Sequence, residues 1–192
     1  EKTILQHNLV ITTDFFWKEL LRERGITIGR LDSRYTGIDK MEGGEERDYD
    51  PALTMWNHAF TPAINHYLRN VLGFKTDLHY NIFGPVHPWD NTNEHTGESL
   101  RQAMAQNPYL HVMIQSGYYD GGTDYFNAKY TLWQLDPSGK LRNRLRFEGY
   151  RSGHMMYLRA ADLSTSNDHI RDFIRQSLPA AGQPAKYQAP DK

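Results

Sequence analysis

From Glu98 to Leu178 the chain alternates between helical and strand-like stretches, and this alternation restricts its fold more than any other feature. Residues 98–106 predict a short helix. Asn107-Pro108 ends it, because the residue before a proline is pushed out of helical backbone. "LHVMIQ", from Leu110, is a nearly continuous apolar run, the mark of a strand covered on both faces. "SGYYDGGT" then turns the chain, residues 124–135 predict a second helix, and Asp136-Pro137-Ser138-Gly139 turns it again. "RLRFEGY" predicts a second strand with Leu145 and Phe147 on one side. "RSGHMMY" is a loop, and a last helix over 162–178 carries Leu163, Ile170, Phe173 and Ile174. Helices alternating with strands argue for a parallel sheet and the α/β class.

The stretch before this has another character. Thr13 and Asp14 can start a helix through about Arg24, with Phe16, Leu20 and Leu21 on its apolar side and Gly25 past its end. "GRLDSRYTG" is turn-rich, and its two arginines and aspartate predict a structural ion pair rather than an anion site. "MEGGEERDYD" predicts a charged, flexible, exposed loop. Asp50-Pro51 and Thr61-Pro62 each place a cap residue before a proline at the first helical position. They predict two consecutive helices, 51–60 and 62–72, stopped by Gly73. "DLHYNIF" alternates Leu78, Tyr80 and Ile82 as a strand would, and "GPVHPWDNTNEHTG" reads as a long loop. The expected divisions are therefore a largely helical region over 1–90, an α/β segment over 91–178 and a mobile tail over 179–192.

Composition excludes several functions. The formal net charge is −1 and no long Lys/Arg run occurs, so the footprint of a nucleic-acid binder is missing. No apolar run approaches the ~18 residues of a membrane span. Cysteine is absent, which removes disulfides, thiolate metal sites and cysteine nucleophiles. His79, His87 and His95 are evenly spaced, but they lack the close pair on one element that zinc sites use. Neither a metal nor a cofactor is expected.

Functional residues of open α/β sheets sit just past the carboxyl ends of strands. Asp120 holds that position after the first strand, and His154 after the second. The interval between them fits one helix and one strand, so neighbouring parallel strands would bring both to one edge. A carboxylate beside an imidazole fixes its tautomer and stabilises the imidazolium formed when it takes a proton. These are the two rear members of a Ser-His-Asp triad. The other reading is plain: a turn-forming aspartate before two glycines, and a loop histidine.

A nucleophile is harder to find. "TGESL" imitates the opening of a hydrolase nucleophile motif at Ser99. Position 101 is Arg where a glycine should recur, and "HPWDNTNEHTG" is not a strand. Thr96 as a cap with Glu98 in the first turn explains the segment as a helix start.

"HVMIQSGYYDGGTDYF" and "YRSGHMMYL" resemble the two C-terminal signature regions of serine carboxypeptidases, especially the bacterial type. "LLRERGITIGRLDSRYTG", "YDPAL", "YLRNVLGFKTDLHY" and "LRQAMAQNPYLHVMIQSG" also resemble segments of that family in the same order. The resemblance implies an α/β-hydrolase fold with a largely helical cap over residues 1–90 and its return to the sheet. It implies release of single residues from peptide C-termini. It assigns the triad aspartate to Asp120 and the triad histidine to His154, with Met155 lining the substrate pocket, and it implies a secreted or periplasmic protein.

The family's nucleophile lies in Gly-Glu-Ser-Tyr-Gly-Gly, upstream of the cap, and no such motif occurs here. The resemblance therefore makes this chain the C-terminal part of an enzyme, truncated or processed, and inactive alone. Its expected partners are peptide substrates and the missing N-terminal part. A sheet reduced to these strands also predicts self-association. The alternative is a non-catalytic binding or assembly module that keeps the hydrolase fold.

Overall fold

The computed structural model describes residues 2–8, 10–78, 80, 90, 92 and 94–182. It combines helices and strands, with one small parallel sheet. It divides into two compact units, residues 1–93 and 94–192.

The first unit opens with α1 (Lys2–Gln6) and α2 (Thr13–Glu19). Thr12, rather than Thr13 or Asp14, caps α2, its hydroxyl accepting the Phe15 N–H at 3.1 Å. The expected helix to Arg24 ends early and continues as a tighter turn, Arg22–Arg24, closed by Gly25 at φ +65°. Left-handed backbone costs glycine little, so the chain reverses there. β1 (Thr27–Ile28) and β2 (Thr36–Gly37) follow as an antiparallel ribbon inside the segment expected to be only turn. Its connecting loop contains the predicted ion pair, Arg34 Nη2 to Asp32 Oδ2 at 2.6 Å, on a buried aspartate.

The charged loop after β2 is exposed as expected, yet it is tied down. Buried Lys18 donates to the carbonyls of Met41 and Glu46, both at 2.8 Å, and pairs with Asp39 at 3.3 Å. A buried ammonium needs such partners, and here two carbonyls accept its N–H groups while the Asp39 carboxylate balances its charge.

α3 (Pro51–His66) begins as predicted, with the Asp50 carboxylate accepting the Ala52 N–H at 3.0 Å. The second helix start does not materialise. α3 runs through Pro62 and passes into a wider turn, Tyr67–Val71, before Gly73 stops it at φ +68°. An interior proline removes one backbone hydrogen bond. Residues 58–63 are exposed, so the freed carbonyl of His58 sits on the solvent side rather than in a core. Trp17, Ile28, Ala52 and Trp56 form the core of this unit, with Tyr35 set edge-on to Trp56. Of the strand expected in "DLHYNIF", Asp77, Leu78 and Tyr80 are described and are not in a strand; the rest of it, most of the loop after it, and His79 and His87 lie outside the described residues.

The second unit follows the predicted order: α4 (Thr96–Gln106), β3 (Val112–Gly117), α5 (Tyr125–Leu135), β4 (Leu145–Tyr150) and α6 (Ala160–Ser177). Thr96 is the first helical residue of α4 rather than its cap. His95 holds the cap position and makes no side-chain bond there. Gly97 has a packing reason, since a β-carbon on it would stand 3.1 Å from Leu135 of α5. The buried guanidinium of Arg144 closes the other end of α4, Nη1 donating to the carbonyls of Met104 and Asn107 at 2.9 Å.

β3 and β4 pair in parallel, from Val112 opposite Leu145 to Gly117 opposite Tyr150. Two-stranded parallel pairing needs a crossover, and α5 supplies it. The expectation that the first strand is covered on both faces is not met: only Gly117 of β3 and Tyr150 of β4 are buried. α6 is bound to the sheet by polar contacts. Gln115 donates to the Tyr150 hydroxyl at 2.7 Å and to Ser166 Oγ at 3.1 Å, and His169 Nδ1 lies 3.0 Å from the Tyr150 hydroxyl. Among the described residues, no helix is long and apolar enough to cross a membrane.

Candidate functional site

The β3–β4 ladder does not stop at the strand ends. Tyr118 N–H donates to the Tyr150 carbonyl at 2.9 Å, and Tyr119 N–H to the Ser152 carbonyl at 3.1 Å. The loops after both strands thus leave side by side. They run close because Gly117 has no side chain: a β-carbon there would stand 2.2 Å from the Gly153 carbonyl oxygen and 2.3 Å from that of Ser152. Ser152 is fully buried beneath this crossing.

The crossing delivers Asp120 and His154 to each other. Asp120 Oδ2 lies 2.9 Å from His154 Nδ1, across 34 residues of sequence. The aspartate side chain is 3% exposed and the imidazole 44%. A buried carboxylate needs hydrogen-bond donors, and Asp120 takes them from two residues just after it, Gly122 and Thr123. Oδ1 accepts the N–H groups of Gly122 at 2.8 Å and Thr123 at 3.1 Å, and Oδ2 accepts the Thr123 hydroxyl. The Thr123 oxygen also stands 3.3 Å from His154 Nδ1. The imidazole Nδ1–H is therefore shared between a carboxylate and a hydroxyl, and the ring orientation is fixed from two sides. With Nδ1 engaged, Nε2 is the ring atom left to exchange a proton.

Sequence reasoning found both titratable members and missed their supports. Asp-Gly-Gly-Thr is the pattern of an aspartate accepting backbone N–H groups two and three residues on. That signal was present in the residues, whereas the contact of Gly117 with Gly153 had none. Met155 is half-buried and begins the short turn Met156–Leu158, its carbonyl accepting the Leu158 N–H at 3.0 Å.

Beside Asp120 an open depression of about 620 Å³ is walled by Tyr118, Tyr125, Phe126 and Tyr130, together with Asp120, Asp124 and Asn127. Tyr118 reaches its place across Gly149, where a β-carbon would collide with the ring, and meets Tyr125 edge-on at 5.0 Å. Met155 does not line this depression.

Ser99 is exposed within the first turns of α4, its N–H donating to the His95 carbonyl at 2.8 Å in ordinary helical fashion. Among the described residues, no group of three or more His, Cys, Asp or Glu side chains could hold a metal ion. No family model, curated protein or solved structure matches the chain.

Proposed function

We propose that this chain supplies the aspartate and histidine of a serine-type carboxypeptidase on an α/β-hydrolase scaffold, the nucleophilic serine coming from polypeptide outside it. The observation that carries this reading is the Asp120–His154 hydrogen bond at 2.9 Å, formed just past the ends of two adjacent parallel strands. The resemblance of "SGYYD" and "SGHMMY" to the family's signature regions supports the reaction class.

In this reading His154 Nε2 takes the proton from the serine hydroxyl as its oxygen bonds to the peptide carbonyl carbon. The same nitrogen then returns that proton to the leaving amine as the C–N bond breaks. Asp120 stays ionised and stabilises the imidazolium between the two transfers. Met155, next to the histidine, contacts the departing residue. The same reading gives the protein a secreted or periplasmic address, which fractionation of its source cells tests.

The decisive experiment treats the full-length gene product with a serine-directed phosphonate and with blocked peptides. Label is expected on a serine outside this chain, with release of C-terminal residues. His154→Ala should abolish both, and Asp120→Asn should lower kcat about 10⁴-fold. Label on Ser99 would overturn the assignment. A full-length product without a reactive serine would leave Asp120 and His154 as a structural tie in a binding module.

A further inference from the structure

We propose that the depression beside Asp120 binds an organic cation, an ammonium or guanidinium group carried on an aliphatic arm. Under the carboxypeptidase reading, on which this identification of the ligand's source rests, the cation is a basic side chain of the peptide substrate.

Three features point to a cation. The first is the wall. Tyr118, Tyr125, Phe126 and Tyr130 bring four aromatic rings around one open space. Ring faces carry the negative part of the aromatic quadrupole and attract cations within about 6 Å. Tyr125 already shows that affinity, with the Lys129 ammonium 4.5 Å from its centroid.

The second is charge. Among the described residues, the lining contains the carboxylates of Asp120 and Asp124 and no lysine, arginine or histidine; the one cation placed against its rings, Lys129, is already engaged on Tyr125. Asp120 is occupied by its own loop and by His154. Asp124 differs.

The third is the conformation of Asp124. It occupies the cap position of α5, where an aspartate ordinarily accepts an N–H of the first helical turn. Its carboxylate makes no such bond and borders the depression instead. An exposed carboxylate beside ring faces holds an ammonium from one side while the rings cover its methylene arm. The arrangement places that cation next to the Asp120–His154 pair, where a neighbouring peptide carbonyl would need to lie.

The test uses this chain and does not require hydrolysis. Nα-acetyl-lysine methylamide and its uncharged counterpart, Nα-acetyl-norleucine methylamide, are titrated while aromatic ring protons are followed by NMR. The lysine compound is expected to shift the rings of Tyr118, Phe126 and Tyr130 with a millimolar Kd, roughly fivefold tighter than norleucine. Asp124→Asn, at an exposed position, should weaken lysine binding about fivefold and leave norleucine binding unchanged. Equal binding of the two compounds, no ring shifts up to about 50 mM ligand, or an Asp124→Asn variant that binds lysine as well as the parent would each overturn the proposal. Such a failure would leave the phosphonate experiment on His154 untouched, so the two ideas fall separately.

Discussion

Gly117 and Gly153 meet backbone to backbone: a β-carbon on Gly117 would stand 2.2 Å from the Gly153 carbonyl oxygen. No side chain fits that gap, so the loop bearing His154 passes over β3 only because residue 117 is glycine. Gly117→Ala should push residues 152–154 outward and separate His154 from Asp120. The expected cost is about 1–3 kcal/mol, the usual penalty of overpacking. Urea denaturation measures it, and the downfield Nδ1 proton of His154 should disappear from the NMR spectrum. Retention of that proton at wild-type stability would refute the account.

Thr123 separates hydroxyl chemistry from shape. Its hydroxyl donates to Asp120 Oδ2 and its oxygen stands 3.3 Å from His154 Nδ1. Thr123→Val keeps the volume and removes the hydroxyl, and should destabilise the unit by about 1 kcal/mol. Thr123→Ser should restore stability and the His154 Nδ1 signal. If valine and serine behave alike, the hydroxyl has no part in holding the pair.

His111 gives the second unit an acid-sensitive element. Burial, and then the nearby charge of Arg144, lower its pKa below the ordinary 6.5. The unfolded chain therefore binds a proton at a pH where the folded chain does not. Stability should fall as pH drops through about 6.5, with this contribution absent above it. His111→Gln should flatten that limb of a urea-midpoint profile between pH 8 and 5. An unchanged profile would assign the acid limb to other groups.

Two strands make an incomplete sheet. β3 and β4 each have an outer edge that no strand pairs among the described residues, and their faces are mostly half-buried. Phe126, Trp133, Ile174 and Leu178 are exposed in the same unit. The chain alone should self-associate with concentration, as unpaired edges and exposed apolar side chains do. Sedimentation velocity would test this; a monomer throughout the micromolar range would count against it.

What the sequence made legible depended on punctuation. Asn107-Pro108, Asp136 to Gly139 and the apolar runs between them marked the β3–α5–β4 unit, and with it the places of Asp120 and His154. The ribbon of β1 and β2 was illegible because two-residue strands are too short to show alternation. Thr61-Pro62 misled for a physical reason. The same dipeptide that starts a helix can sit inside an exposed one, where the carbonyl freed by the proline faces solvent instead of being left unpaired in a core. Thr12 was overlooked as a cap because Thr13 beside it has the same chemistry, and only backbone conformation distinguishes them. The burial of Lys18 had no signal in the sequence, since nothing in "WKEL" tells that a loop more than twenty residues later supplies its acceptors.

The parallel register of β3 on β4 also acts as a ruler. Strand pairs slip only in whole residues, each about 3.3 Å long. A slip of one residue would carry His154 beyond reach of Asp120, and it would turn the side chains of the slipped strand to the other face. Two residues would restore the faces but leave a gap of more than 6 Å. The separation of this pair is thus set in steps rather than continuously. With both loops at their present lengths, the pair holds only while Gly117 stays opposite Tyr150.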